Sequence, residues 1–239
     1  MGYVVNTELE EQWDISKYDP VKAQNSFCHL LGVSGDLLVP IDSTKVDERH
    51  YTVSVNSDSY VFVYLGNNAL SSVTLTKGET SRKFSQVSFD YLLDLGYAAK
   101  DTVLELEVVE EDEKFKTFKA YELNMRVLNE AIDILSAATL QIEEYGEKYL
   151  KGNVTLEEAG RLILSIPMEK GWTMYVNGVE TPIESFKDAF MVVDLKTGTY
   201  EIELEFETPG FKEGLLISVA CIAVFAVCRC VERRRQRRL

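Results

Sequence analysis

The sequence predicts a mainly β protein, in which two consecutive antiparallel β-sandwich modules of jelly-roll-like pattern are joined by a short helix and followed by one C-terminal transmembrane helix. Three observations predict this fold class. Short runs of β-branched and aromatic residues recur along most of the 239 residues. One internal segment has helical periodicity instead, and an uninterrupted apolar run lies close to the C terminus.

Residues 1–44 are predicted to form a helical and loop segment ahead of the first module. This segment has Trp13 and Tyr18 before Pro20, and an apolar run at residues 27–31. Two placements remain open at this point. Either the segment follows a membrane helix that this chain lacks and packs on the first sandwich, or its own helix lies on the bilayer surface.

The first module is predicted at residues 45–124, where apolar and polar residues alternate with the period of a strand. Glycines at positions 66, 78 and 96 separate the runs. The predicted strands are residues 51–55, 60–64, 72–76, 102–108 and 115–121. A connector helix is then expected at residues 125–138, because apolar residues recur there at helical spacing, from Val127 to Ala138.

The second module is predicted at residues 139–210. Its strands are expected at residues 139–145, 148–154, 161–165, 172–176, 189–193 and 199–206. Asn177-Gly178 stands between two valines, and this pair predicts a tight hairpin because a type I′ turn needs positive φ at both central residues.

The two modules resemble each other at an offset of about 100 residues. Residues 77–78 correspond to 177–178, residues 91–95 to 191–195, and residues 104–106 to 202–204. Duplication of one unit explains this similarity, and so does convergence of strand patterns.

A transmembrane helix is predicted at residues 211–231. The apolar run at residues 215–228 spans roughly 21 Å, but the flanking residues extend it to roughly 31 Å, enough for the ~30 Å hydrocarbon layer. A buried core helix is the alternative interpretation. The predicted membrane-anchoring side chains are Phe211, Lys212, Arg229, Arg233, Arg234 and Arg235.

The formal net charge of −14 is unevenly distributed. From residue 229 onward there are six arginines and one glutamate, whereas the preceding residues carry 19 cations and 38 anions. The residues before residue 229 are so acidic that a nucleic-acid-binding surface, which needs cations to neutralise phosphates, is excluded. By the positive-inside rule the tail at residues 232–239 belongs in the cytoplasm, which places residues 1–210 outside. No signal peptide is readable at the start, so we expect the C-terminal portion of a longer polytopic protein.

Residues that carry chemistry in other proteins form no recognisable site in this sequence. His29 and His50 lie in different segments without a nearby nucleophile motif, and no spacing selects a carboxylate pair for glycosidase chemistry. The acidic residues 110–113 lack calcium-loop spacing and favour a solvated hairpin tip. Cys28 is the one cysteine ahead of the membrane segment, so no disulfide framework or zinc site is expected. The sequence predicts no catalytic residue, metal or cofactor.

The one site-like feature is aromatic. Rings that would stack on a sugar come from strands expected to be neighbours: Trp172, Tyr175, Phe190 and Tyr200. The strand period places Trp172 and Val176 on one face and Tyr175 on the other. Whether Trp172 belongs to the core or to the surface stays open.

Several motifs carry a family resemblance. They are residues 165–179 (SIPMEKGWTMYVNGV), Phe190-Met191, residues 209–216 (PGFKEGLL), residues 19–25 (DPVKAQN) and residues 120–124 (AYELN). With them, nearly the whole sequence resembles the C-terminal part of the YfhO family of bacterial membrane proteins.

The resemblance implies a multi-pass membrane protein of the glycosyltransferase C type, which uses lipid-linked sugars to decorate cell-surface polymers such as lipoteichoic acid. The family's upstream membrane helices and its early loop with the expected catalytic acid are not in this sequence, so no catalytic residue carries over. We therefore expect an extracytoplasmic portion that assists sugar transfer but is inactive in transfer by itself.

Two other hypotheses remain open: a non-enzymatic, membrane-anchored module that binds a glycan or an envelope protein, and a structural lid on a partner's membrane part. The expected partners are the lipid bilayer, membrane helices of the same or a split protein, and a lipid-linked sugar or teichoic acid. The predicted location is the bacterial cell membrane, crossed once at the C terminus. An acidic body requires basic groups, ring stacking or bound cations to hold an anionic polymer.

Overall fold

A computed structural model describes residues 2–13, 15, 19–66, 70–87, 91–110 and 117–236. The chain divides into two compact units, one of residues 8–137 and one of residues 1–7 with 138–239. We call their β-rich parts the first and the second module. The predicted segment 1–44 is thus divided between them, because its first strand, β1 (Gly2–Val5), belongs to the second module.

The first module contains helices α1 to α3 and strands β2 to β10. The helices are α1 (Leu9–Gln12), α2 (Pro20–Leu30) and α3 (Met125–Ser136). The strands are β2 (Leu38–Ile41), β3 (Ser43–Lys45), β4 (His50–Ser54), β5 (Ser59–Gly66), β6 (Leu70–Lys77), β7 (Thr80–Val87), β8 (Tyr91–Ala98), β9 (Val103–Glu110) and β10 (Thr117–Leu123). They form two antiparallel sheets of order β2-β10-β5-β8 and β3-β4-β9-β6-β7.

The core of the first module lies between these two sheets, where alternate residues of each strand point inward. Val53 and Leu104 come from one sheet and Val61 and Val63 from the other, and all four are buried. The second face of the smaller sheet is covered by α2, whose Val21 packs with Leu38, Tyr64 and Tyr121. This packing favours docking of the N-terminal helix on the sandwich over its placement on a bilayer.

The second module contains β1 and strands β11 to β18. These are β11 (Gln141–Gly146), β12 (Tyr149–Leu156), β13 (Gly160–Pro167), β14 (Trp172–Val176), β15 (Val179–Thr181), β16 (Glu184–Phe186), β17 (Phe190–Leu195) and β18 (Gly198–Phe206). They form antiparallel sheets of order β1-β13-β17-β16 and β11-β12-β18-β14-β15. Leu162 and Met191 from the first sheet and Met174 and Ile202 from the second meet in its core.

The Asn177-Gly178 hairpin is present between β14 and β15, where Val176 pairs with Val179. Asn177 and Gly178 have φ of 52° and 75°, as a type I′ turn requires. In the first module the equivalent turn is Gly78-Glu79, because Lys77 pairs with Thr80. The predicted correspondence of this hairpin is therefore displaced by one residue.

The two modules have equivalent strand orders. Strands β3-β4-β9-β6-β7 match β11-β12-β18-β14-β15, and β5-β8 matches β13-β17. In the first module β10 pairs with β5. In the second module the strand at the equivalent position, beside β13, is β1. Two pairs of similar segments fall on equivalent strands, and the third falls within one residue of equivalent turns, which supports duplication. The second module thus takes its ninth strand from the start of the chain.

Helix α4 (Phe211–Gln236) follows β18. Among the described residues it is the one helix long and apolar enough to cross a membrane, over Phe211–Cys230, with a mean hydropathy of 2.0 and none of that span buried against the protein. The alternative of a buried core helix is therefore wrong.

Candidate functional site

A cleft of about 510 Å³ lies at the end of the second module where the chain leaves β18 and begins α4. One side is formed by the loop between β13 and β14, with Lys170, Gly171 and Trp172. The other side is formed by the connection to α4, from Glu207 to Glu213. Two of the motifs that carry the family resemblance thus lie opposite each other. We call this site the juxtamembrane cleft.

Gly171 joins the two sides of the juxtamembrane cleft. Its carbonyl oxygen accepts a hydrogen bond of 2.8 Å from the amide of Glu207. Its φ is 111°, and a Cβ at this position would lie 2.3 Å from the Glu207 carbonyl oxygen. Only glycine permits this approach, since a side chain would clash with the backbone and strain the left-handed φ.

Trp172 is half-buried at the edge of the core and forms part of the cleft lining. Its ring lies 5.0 Å from that of Phe206, its cross-strand partner, with the two planes tilted by 52°. This contact fixes the indole orientation. Trp172 is therefore both a core residue and a surface residue, because one part of its side chain packs on the core and another part faces the cleft.

The charges of the cleft are balanced. Lys212 Nζ lies 2.7 Å from Glu207 Oε1, and both side chains are largely exposed. Lys170 and Glu213 complete the charged lining, and both are exposed. Gly210, at φ 75°, turns the chain into the helix, and its carbonyl accepts the amide of Gly214. The cleft therefore offers cations to an anion and carboxylates to sugar hydroxyls.

The four aromatic residues predicted as a sugar platform do not form one surface. Trp172 and Tyr200 face the core side of their sheet, whereas Tyr175 lies on the opposite face. Phe190 is exposed in β17, which belongs to the other sheet of the sandwich. The strand period correctly separated Tyr175 from Trp172, but the sequence alone did not assign Phe190 to a second sheet.

The face that carries Tyr175 is acidic. Tyr175 is directly opposite Glu180 and Glu203 in the two neighbouring strands. Further along this face, Lys151 pairs with Glu201 at 2.9 Å. Desolvation first, and then the hydrogen bond and charge of Glu203, raise the pKa of Tyr149. This face is poorly suited to an anionic polymer.

The other motif residues have structural roles in the first module. Asp19 caps α2 by accepting the amide of Lys22 at 2.9 Å, and Asn124 caps α3 by accepting that of Val127 at 3.3 Å. The Asn25 side chain bonds both the amide and the carbonyl of Leu38, and so joins α2 to β2.

Both histidines make local contacts. His50 Nδ1 lies 2.8 Å from Asp47 Oδ2, and His29 Nε2 lies 3.2 Å from Asp36 Oδ1. The described residues include no group of three or more His, Cys, Asp or Glu side chains placed to hold a metal ion. Of the predicted hairpin tip at residues 110–113, Glu110 ends β9 and residues 111–113 lie outside the described residues.

The residues predicted to anchor the chain in the membrane are part of α4, and their anchoring role stays a prediction. Phe211 is exposed at its first turn, and Arg229 and Arg233 lie near its end. Lys170 and Glu207 were not among the predicted site residues. The signal that would have found the cleft is the pair of motifs at residues 165–179 and 209–216, which needed to be placed together.

Two β-sandwiches followed by an apolar helix define a β-rich membrane protein. The family model described as "Bacterial membrane protein YfhO" matches residues 6–218, and the chain belongs to this family. It is also similar to "Uncharacterized protein YfhO" of Bacillus subtilis (strain 168), with 28% identity over 118 residues. The match covers 48% of this chain but 14% of the relative, so the chain spans a small part of the relative's length.

Proposed function

We propose that this chain is the extracytoplasmic portion of a YfhO-family membrane protein, and that it assists transfer of sugars from lipid-linked donors to cell-surface polymers such as lipoteichoic acid. In this proposal the juxtamembrane cleft receives the donor's head group. The transfer chemistry belongs to membrane helices that are not part of this chain.

The observation that supports this proposal is the position of the cleft, at the junction of β18 and the membrane helix. A lipid-linked sugar has its tail in the hydrocarbon layer, its phosphate at the level of the lipid head groups and its sugar in water. A cleft beside the first turn of a membrane helix lies at the level of that phosphate.

The lining suits such a ligand. Lys170 and Lys212 would contact the phosphate. To do so, Lys212 would leave its ion pair with Glu207 and bind the phosphate, which is the stronger anion. The exposed part of Trp172 would contact the apolar face of the sugar. The arginines that follow the helix, Arg229 and Arg233 among them, favour a cytoplasmic tail and therefore an external position for the cleft.

The test uses the full chain in lipid nanodiscs and a synthetic polyprenyl-phosphate glucose as ligand. Lys170→Gln should weaken binding by up to about fivefold, since a partly exposed charge contact contributes at most about 1 kcal/mol. Lys196→Gln, in the exposed turn between β17 and β18, is the matched control and should leave binding unchanged. Equal effects of both variants, or no binding to the parent chain, would contradict the proposal.

A second candidate function is glycan binding without enzymatic assistance, and one observation favours it. Tyr60 and Tyr97 of the first module are cross-strand partners, exposed by 44% and 53%, with ring centroids 5.8 Å apart. Such an exposed ring pair would stack on sugars. Titration of the full chain with teichoic acid, comparing Tyr97→Ala with the control Tyr175→Ala, tests this candidate. Selective loss of binding in Tyr97→Ala is expected, and equal binding by both variants would reject it.

A further inference from the structure

We propose that the second module itself rests on the lipid head-group layer, through a rim of exposed apolar side chains at the end where α4 begins. We call this set the lipid-facing rim: Tyr145, Met168, Phe190 and Phe211. The contact needs no sugar ligand, and therefore does not depend on the function proposed above.

Strand register and the short connection from β13 to β14, residues 168–171, place these four side chains at one end of the sandwich. Phe206, the last residue of β18, pairs with Trp172, and Glu205 pairs with Tyr149. The turn between β11 and β12 is at this end, because Gly146 pairs with Tyr149. So is the start of β17, because Pro167 at the end of β13 pairs with Phe190.

The rim side chains are unusually exposed for their size. Tyr145 is 83% exposed, Phe211 62%, Phe190 42% and Met168 40%. They come from four separate chain segments, so no single loop accounts for them. An exposed group of apolar side chains of this kind marks a surface that contacts another protein or a membrane.

The position of the rim identifies the covering partner as lipid. Phe211 is both a rim residue and the first residue of the apolar span Phe211–Cys230, so the rim continues directly into the part of the chain that lies in the membrane. Tyrosine, with an apolar ring and a polar hydroxyl, favours the membrane–water boundary.

Each rim segment also contains a lysine: Lys148, Lys170, Lys187 and Lys212. Such side chains extend their ammonium groups to the phosphate level while their carbon chains lie along apolar surface. Acidic residues in the same segments balance them: Glu147, Glu169, Asp188 and Glu213. Because the rim has no excess of positive charge, the contact depends on apolar burial and should persist at high salt.

The opposite end of the same module has polar turns, with one flanking apolar side chain, Val179, exposed by 66%. Its connections contain Glu157 and Glu158 between β12 and β13, Asn177-Gly178 between β14 and β15, and Lys196-Thr197 between β17 and β18. No aromatic residue lies in these turns. Strand β18 separates the two ends by about 26 Å, at a rise of about 3.3 Å per residue.

The proposal is tested by adding one tryptophan at a time to the full chain in nanodiscs: Tyr145→Trp, Phe190→Trp, or the control Thr197→Trp. The added emission, relative to the parent chain, is measured with and without lipids that carry a nitroxide near the head group. Tyr145 and Phe190 are exposed, and Thr197 lies in an exposed turn, so the three variants should fold.

We expect loss of the added emission at positions 145 and 190 and full retention at position 197, both at low and at high salt. Equal quenching at all three positions would overturn the proposal, as would no quenching at 145 and 190. Quenching that vanishes in concentrated salt would also overturn it, because the contact would then be electrostatic rather than apolar.

Discussion

The carbonyl oxygen of Gly171 accepts the amide of Glu207 at 2.8 Å. This single hydrogen bond joins the loop before β14 to the segment that leads into the membrane helix. Glu207 also forms an ion pair with Lys212. Contacts through Glu207 therefore link the loop to the connection, and the connection to the first turn of α4. The juxtamembrane cleft therefore depends on the close backbone approach at Gly171 as well as on the ion pair between Glu207 and Lys212.

We expect Gly171→Ala to destabilise the second module more than Gly178→Ala. Both glycines have positive φ, which costs an L-residue roughly 1–2 kcal/mol. A Cβ at Gly178 would meet no atom within 4 Å, whereas at Gly171 it would lie 2.3 Å from the Glu207 carbonyl oxygen. Thermal unfolding of the full chain in detergent measures the difference. Equal losses in the two variants would show that the loop moves away freely.

Glu122 is the second residue whose replacement should be costly. The residue is 8% exposed, and its carboxylate accepts hydrogen bonds from the amides of Asn56 and Ser57 and from the Ser57 hydroxyl, the last at 2.6 Å. Glu122→Ala leaves these donors unpaired and should cost about 1–3 kcal/mol. Glu122→Gln keeps one acceptor oxygen and should cost less.

Glu105→Ala is the control for this prediction, because Glu105 lies exposed on β9 of the same module. It should change the free energy of unfolding by less than about 0.5 kcal/mol. If Glu122→Ala proved as mild as Glu105→Ala, water would be replacing the carboxylate, and its role in holding the loop at Asn56 would be disproved.

Deletion of β1 should weaken the second module and spare the first. β1 pairs with β13 along Gly2–Val5, and on its other side the amides of Val4 and Leu140 bond across to Ala138 and Gly2. Without residues 2–5, β13 becomes an unprotected edge. Hydrogen exchange should accelerate in Gly160–Pro167 and remain slow in Ser59–Gly66, which serves as an internal control. Unchanged exchange in β13 would contradict the role of β1 as the ninth strand.

The strands that the sequence failed to predict are edge strands. Interior strands such as β9 and β18 bury alternate residues, for example Leu104 and Ile202, and their periodicity is strong. The missed strands, each at an edge of its sheet, are β1, β2, β3, β7, β8 and β16. Edge strands bury less and tolerate polar residues, so β7 is recognisable as a strand only from its pairing with β6.

Of the residues that line the candidate site, the sequence singled out Trp172 as a possible sugar contact and Lys212 as a membrane anchor, but it did not predict how they assemble. Tyr175 and Trp172 were correctly separated, because strand period is a local property. The contact between residues 171 and 207, like the pairing of β1 with β13, joins parts of the chain that are distant in sequence. Such contacts leave no signal in local composition.

The Asp47–His50 turn should respond to acid at an unusually low pH. The backbone amide of Arg49, then the His50 side chain and amide, lower the pKa of the Asp47 carboxyl to about 2. A group with a depressed pKa stabilises the fold above its ordinary pKa, and this contribution is lost as the pH falls through about 2. Carboxyl chemical shifts of Asp47 across an acid titration measure the midpoint. His50→Ala removes one of the three interactions and should raise the pKa of Asp47 part of the way to its ordinary value. A midpoint near that ordinary value in the parent chain would show that the turn does not persist in solution.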